Sequence, residues 1–111
     1  MKEGDIVIVP MQQASGQFKN RPSLVLKEMP RYSDLLVCGI STQLHQMVRD
    51  FDEIIAAVDV DFSASGLRSA SLIRLGYLSL VPRGQIIGVI GVVAAGRHRR
   101  LCQRLADYLS T

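Results

Sequence analysis

Gly4-Asp5-Ile6-Val7-Ile8-Val9-Pro10 stands near the start of the chain, and its reading decides the fold. Four branched aliphatic residues in a row favour an extended, buried strand over a helix, because side chains branched at Cβ crowd the preceding helical turn. Gly4-Asp5 supplies a turn before the run, and Pro10 is expected to close it. Residues 10–20 are polar and contain Ser15-Gly16 and Lys19-Asn20, which predicts a flexible loop. Pro22 then opens a second strand, Ser23-Leu24-Val25-Leu26-Lys27, with the proline tolerated near its start. Met29 to Asp34 reads as a turn. Leu35 to Ser41 is apolar almost throughout, which predicts a third and central strand, joined to the second as a hairpin.

Farther along, the signals are mixed. Residues 44–61 hold Asp50, Asp52, Glu53, Asp59 and Asp61, and the stretch from Phe51 to Val58 fits a strand or a helical turn. Ser63-Ala64-Ser65-Gly66 reads as a turn, and Ala70 to Tyr77 alternates as a strand does. Pro82-Arg83-Gly84 breaks the chain before a strand from Gln85 to Val93. The apolar run Ile86 to Ala95 is expected to be buried, and it is too short to span a membrane. Ala95 to Leu109 is the one clear amphipathic helix, with Leu101, Leu105, Tyr108 and Leu109 at helical spacing on one side. Arg97, Arg99, Arg100 and Arg104 crowd its first turns, where the helix dipole favours acids, so a nearby acidic surface or partner is expected to offset them. His98, among these arginines, is expected to face solvent. Many short strands and one terminal helix argue an α+β, mostly β architecture: a small antiparallel barrel or curled sheet.

Composition bounds the rest. The chain has 111 residues, 48 % of them hydrophobic, which fits one globular domain over 1–111 and not a disordered segment. The first residues carry no secretory pattern, which predicts a cytoplasmic protein. Cys38 and Cys102 read as small apolar residues in a reducing compartment, and neither has metal-ligand spacing to a second Cys or His. The net charge of +3 is unevenly spread. Residues 62–111 hold seven arginines against one acid, Asp107. Arginine forks onto phosphate, so this half suits a polyanion or an acidic partner, unless it is only a solvated face.

Three blocks in order make the sequence more specific. Gly4 to Pro10 is followed by Asn20-Arg21-Pro22-Ser23-Leu24-Val25-Leu26, then by Leu36-Val37-Cys38-Gly39-Ile40-Ser41-Thr42-Gln43. Together they resemble the PemK/MazF toxin family, and the later stretch Gly66-Leu67-Arg68-Ser69-Ala70-Ser71-Leu72-Ile73-Arg74-Leu75 is similar to a further family block. The resemblance implies an SH3-like antiparallel barrel of the PemK/MazF/CcdB type with a C-terminal helix. It implies the toxin of a type II toxin–antitoxin system: a growth-inhibiting, sequence-specific endoribonuclease acting on single-stranded mRNA. No cofactor or metal is implied. The RNA 2′-hydroxyl attacks the adjacent phosphorus, leaving a cyclic phosphate and a 5′-hydroxyl. The implied partners are single-stranded RNA, a second copy of the chain, and a small antitoxin with an acidic C-terminal segment, the toxin–antitoxin complex binding DNA.

Residue by residue, Arg21 matches the family's catalytic arginine and Ser41 stands where the family has a catalytic threonine. Thr42 and Gln43 are neighbouring candidates, and Lys19, His45, Arg68 and Arg74 are further candidates for catalysis or RNA binding. On a regular strand Ser41 and Thr42 face opposite ways, so one of them is expected to reach the cleft. Some relatives place a histidine in the first loop or an acid in the later strand; residues 10–20 here contain no histidine, and Ser69 to Leu75 no acid. A non-catalytic RNA- or protein-binding module on the same barrel therefore stands as the alternative. A gyrase-poisoning relative fits less well, because such toxins end in an aromatic pair and this chain ends Asp107-Tyr108-Leu109-Ser110-Thr111.

Overall fold

The computed structural model describes all of residues 1–111. Six strands form one antiparallel, curled half-barrel sheet: β1 (Asp5–Gln12), β2 (Phe18–Glu28), β3 (Leu35–Ser41), β4 (Glu53–Ile55), β5 (Ser71–Val81) and β6 (Gly88–Val92). Their order across the sheet is β4-β5-β3-β2-β1-β6. A short helix, α1 (Phe62–Ser65), follows β4, and α2 (Ala95–Leu109) ends the chain. The third strand is internal, as its apolar run predicts, and the helix has the predicted bounds.

The first hairpin is longer than the sequence suggests. Neither proline ends its strand, and the predicted loop over 10–20 shrinks to the residues between Gln12 and Phe18. The ladder explains why. The Ile8 carbonyl accepts the Ile87 N–H at 2.9 Å, so it faces β6 and not β2. Ile8 and Pro22 are therefore a non-hydrogen-bonded pair of the β1–β2 ladder. The Pro22 nitrogen points toward β3, and the β2–β3 ladder has already ended at Ser23–Gly39. Pro10, paired with Asn20, is two residues on and of the same kind. Each proline sits where its missing N–H costs no ladder bond.

The sheet packs on both faces. One face carries Ile6, Leu24, Leu26, Cys38, Ile40, Ile55, Ile73 and Leu75 beneath Leu101 and Leu105 of α2. The other carries Val7, Val9, Met11, Val25, Leu35, Val37 and Val81, with Tyr77 against them. Tyr108 and Leu109, predicted on the buried side of α2, are exposed because the helix runs past the sheet there, although the Tyr108 ring touches Phe51 at 5.1 Å between centroids. The run after Pro82 is not a buried strand either. Arg83–Gln85 forms a single helical turn, and β6 is a short edge strand with Val89, Ile90 and Val92 exposed.

Glycines let α1 close the curl. Gly66 ends α1 at φ 73°, a left-handed conformation that other residues adopt at a cost. A Cβ on Gly66 would run into the Ile90 carbonyl, and one on Gly91 into the Ser65 backbone. The helix thus lies backbone to backbone on the β6 edge.

The arginines of α2 meet the acidic stretch within the same chain. Arg97, only 8 % exposed, donates through Nε and Nη2 to Asp61 at 2.8 and 3.2 Å, and reaches Asp59 and Glu53 at 3.0 Å each. Arg100 and Arg104 bond Glu53 at 2.9 and 3.1 Å. Asp61 also accepts the Ala94 N–H at 3.0 Å, placing an anion at the N-terminus of α2. Burial works against ionising Glu53, but Arg100, Arg104 and Arg97 carry its carboxyl below the ordinary range. His98, expected in solvent, instead places Nε2 2.8 Å from the Leu26 carbonyl.

Candidate functional site

The end of the β2–β3 ladder opens the cleft. Carrying the Ser23–Gly39 register two residues on sets Arg21 opposite Ser41, at a point where β2 continues beside β1 alone. Two cavities flank this point, and both are bordered by Arg21, Ile40 and Ser41. The first, about 340 Å³, adds Gln13, Gln43, Gln46, Arg74 and Tyr77. The second, about 350 Å³, adds Thr42, Arg68, Ser69 and Ser71. β3 ends at Ser41, and beyond it the chain bends, setting Gln43 at the first cavity and Thr42 at the second. Both Ser41 and Thr42 therefore reach the cleft, where a regular strand would have sent only one of them.

Six of the eight predicted residues therefore come together: Arg21, Ser41, Thr42, Gln43, Arg68 and Arg74. Lys19 and His45 do not. Lys19 is an exposed position of β2 opposite Met11, and His45 is exposed on the turn Leu44–Gln46. Gln13, Gln46, Ser69, Ser71 and Tyr77 also line the cleft, although the sequence does not mark them. They are ordinary polar residues of turns and strands. Only the fold makes neighbours of positions 13, 46 and 77.

The Arg21 Nη2 donates to the Gln13 side-chain oxygen at 3.2 Å. Gln13 is tied in turn through its own Nε2 to the Met11 carbonyl at 3.0 Å. The Tyr77 hydroxyl donates to the Gln12 carbonyl at 2.7 Å, joining β5 to the tip of the first hairpin. Its ring lies against Gly39, and the Arg74 guanidinium carbon is 5.2 Å from the ring centroid. The Ser41 Oγ accepts the Gln43 N–H at 3.0 Å.

The electrostatics favour an anion. Arg21, Arg68 and Arg74 border the two cavities, and no Asp, Glu or His does. None of these three guanidinium groups is within ion-pair distance of a carboxylate, unlike Arg83, Arg97, Arg100 and Arg104. Such a cleft, lined by guanidinium and hydroxyl donors and by no carboxylate or imidazole, suits an anionic ligand.

A curled, mostly antiparallel half-barrel with a terminal helix and an acid-free arginine–hydroxyl cleft at a strand-ladder end defines a class of small barrel proteins suited to an anionic ligand. The comparisons narrow it. The chain belongs to the PemK-like, MazF-like toxins of type II toxin–antitoxin systems, whose family profile matches residues 2–109. Members of this family are mRNA-cleaving endoribonucleases. Among solved structures the chain is similar to a Mycobacterium tuberculosis toxin, MazF-mt6, with a TM-score of 0.66, 21 % identity, and 96 % of each chain covered. No curated protein matches the sequence. The sequence-based fold and family expectations hold.

Proposed function

We propose that this protein is a cytoplasmic toxin that cuts single-stranded mRNA without a metal ion. The observation that carries the reading is the position of Arg21 and Ser41 between two acid-free cavities. Arg21 grips the scissile phosphate with its forked donors, and the Ser41 hydroxyl donates to a phosphate oxygen. As the 2′-hydroxyl attacks phosphorus, charge builds on the equatorial oxygens, and the guanidinium stabilises it. Arg68 and Arg74 neutralise neighbouring phosphates. Bond making to the 2′-oxygen and bond breaking to the 5′-oxygen then leave a cyclic phosphate and a 5′-hydroxyl, with the 2′-hydroxyl proton passing to water and the 5′-oxygen taking its proton from water, since no Asp, Glu or His borders the cleft.

The same cleft fits the acidic tail of an antitoxin, which would occupy the RNA path and block it. A homodimer is consistent with the exposed apolar residues of the β6 edge, Val89, Ile90 and Val92. No helix of the chain is long and apolar enough to cross a membrane.

The test is incubation of the purified protein with a long single-stranded RNA in EDTA, mapping the product ends. Discrete cuts with 5′-hydroxyl ends are expected, and Arg21→Ala is expected to remove them without altering the melting temperature, because Arg21 is exposed. The absence of any His, Asp or Glu from the cleft favours one second reading, an RNA- or protein-binding module that does not cut. Binding without cleavage by the wild type would establish that reading in place of the first.

A further inference from the structure

The two cavities beside Arg21 and Ser41 offer a ligand different chemistry. The first holds three side-chain amides. That of Gln13 is engaged with Met11 and Arg21. Gln43 and Gln46 enter hydrogen bonds only through their backbones, so both amides are available to a ligand. Tyr77 gives this cavity a planar aromatic wall, held by its hydroxyl bond to Gln12 and by packing on Gly39. The second cavity has no side-chain amide. Its polar lining is hydroxyls, from Thr42, Ser69 and Ser71, with Arg68.

We propose that the first cavity reads one nucleobase beside the scissile phosphate, through Gln43 and Gln46, with the base resting against the Arg74–Tyr77 pair, and that the second holds the sugar–phosphate backbone on the other side. The proposal rests on the ribonuclease reading of Arg21 and Ser41. An amide presents a donor and an acceptor side by side. An unpaired base presents the same combination on its Watson–Crick edge, and single-stranded RNA leaves that edge free. The Arg74 guanidinium lies over the Tyr77 ring, and this planar pair is a wall against which a base can rest. Hydroxyls and a guanidinium match phosphate and the 2′-hydroxyl instead, and neither distinguishes one base from another. Ser41 and Arg21 border both cavities, so the two functions fall on opposite sides of one phosphate.

The experiment exposes the full chain to a pool of randomised single-stranded RNA in EDTA. Two readouts are sequenced: the ends of the cut products and the RNA retained by binding. The wild type is expected to favour one base at one position next to the cut. Gln43→Ala and Gln46→Ala should each reduce that preference by about tenfold or more, the size of one lost base contact, while preferences elsewhere persist. Arg68→Ala should weaken binding of all sequences alike. Both glutamines are exposed, so these variants are expected to melt with the wild type. A preference that survives both glutamine substitutions overturns the proposal, as does a wild type with no preference in either readout. A glutamine-dependent preference in the bound RNA without any cleavage would sustain the base-reading cavity and overturn the ribonuclease reading alone.

Discussion

At the scale of single residues, the question is which hydroxyl serves the phosphate. Ser41 and Thr42 are adjacent on one chain, and the sequence admits both. Ser41 borders both cavities with Arg21, whereas Thr42 borders only the second. Ser41→Ala is therefore expected to lower the cleavage rate by roughly 100-fold, the typical effect of removing one preorganised donor to a developing oxyanion. Thr42→Ala should act mainly on binding, raising KM more than it lowers kcat. Single-turnover rates and KM on one short RNA check the pair, and the reverse pattern would give Thr42 the role assigned here to Ser41. Arg21 and Ser41 could be found in the sequence because each lies within an ordered block that resembles the PemK/MazF family, and without that resemblance an arginine and a strand-end serine carry no mark of function. Gln46 and Tyr77 could not. A glutamine in a turn and a tyrosine in a strand have many ordinary uses, and only the curl of the sheet brings them to one cavity.

At the scale of elements, the ion network between α2 and the β4–α1 region anchors a helix that has no side-chain cap. The N-cap residue Ala94 has no side chain that can accept from the first turn, but Asp61, from another segment, accepts the Ala94 N–H and sets its charge at the helix N-terminus. The periodicity of α2 was legible because Leu101 and Leu105 recur at helical spacing. The meaning of its arginines was legible only as a demand for negative charge, since nothing local identifies Glu53, Asp59 and Asp61 as the suppliers. The Arg97 guanidinium holds the Asp61 carboxyl below its ordinary range, and the α2 arginines do the same for Glu53. Both carboxyls thus lose protons more readily folded than unfolded. Their contribution to stability is full above the ordinary carboxylate range, about pH 4, and disappears as the pH falls through the lowered folded values. The melting temperature is expected to be nearly flat from about pH 7 to 5 and to fall below about pH 4. Asp61→Asn keeps an acceptor for the Ala94 N–H but removes the charge facing Arg97. It should cost about 3–5 kcal/mol near neutrality and flatten the acid limb. Thermal melts from pH 7 to 2.5 check this, and an unchanged acid limb in the variant would assign acid sensitivity to other carboxylates.

At the scale of the whole molecule, the distribution of charge explains how a net charge of only +3 serves a polyanion. The seven arginines after residue 61 suggest a broad basic face, but the fold separates them. Arg83 is matched by Glu28, and Arg97, Arg100 and Arg104 by the acids around β4. Of those left, Arg68 and Arg74 turn to the cleft, where Arg21 joins them from the first hairpin. The paired arginines have already exchanged their counterions for carboxylates, so an RNA passing over them releases few ions. Those in the cleft have not. For single-stranded nucleic acid, each neutralised phosphate adds about −0.7 to the slope of log affinity against log salt. Three cleft arginines therefore predict a slope near −2. Arg68→Ala and Arg74→Ala should each make it shallower by about 0.7. Arg100→Ala removes a charge already held by Glu53 and should leave the slope unchanged. Fluorescence anisotropy with a short labelled RNA between about 50 and 200 mM salt measures all four proteins. A slope that depends on Arg100 as much as on Arg68 would place the RNA across the helix, and would remove the cleft as its path.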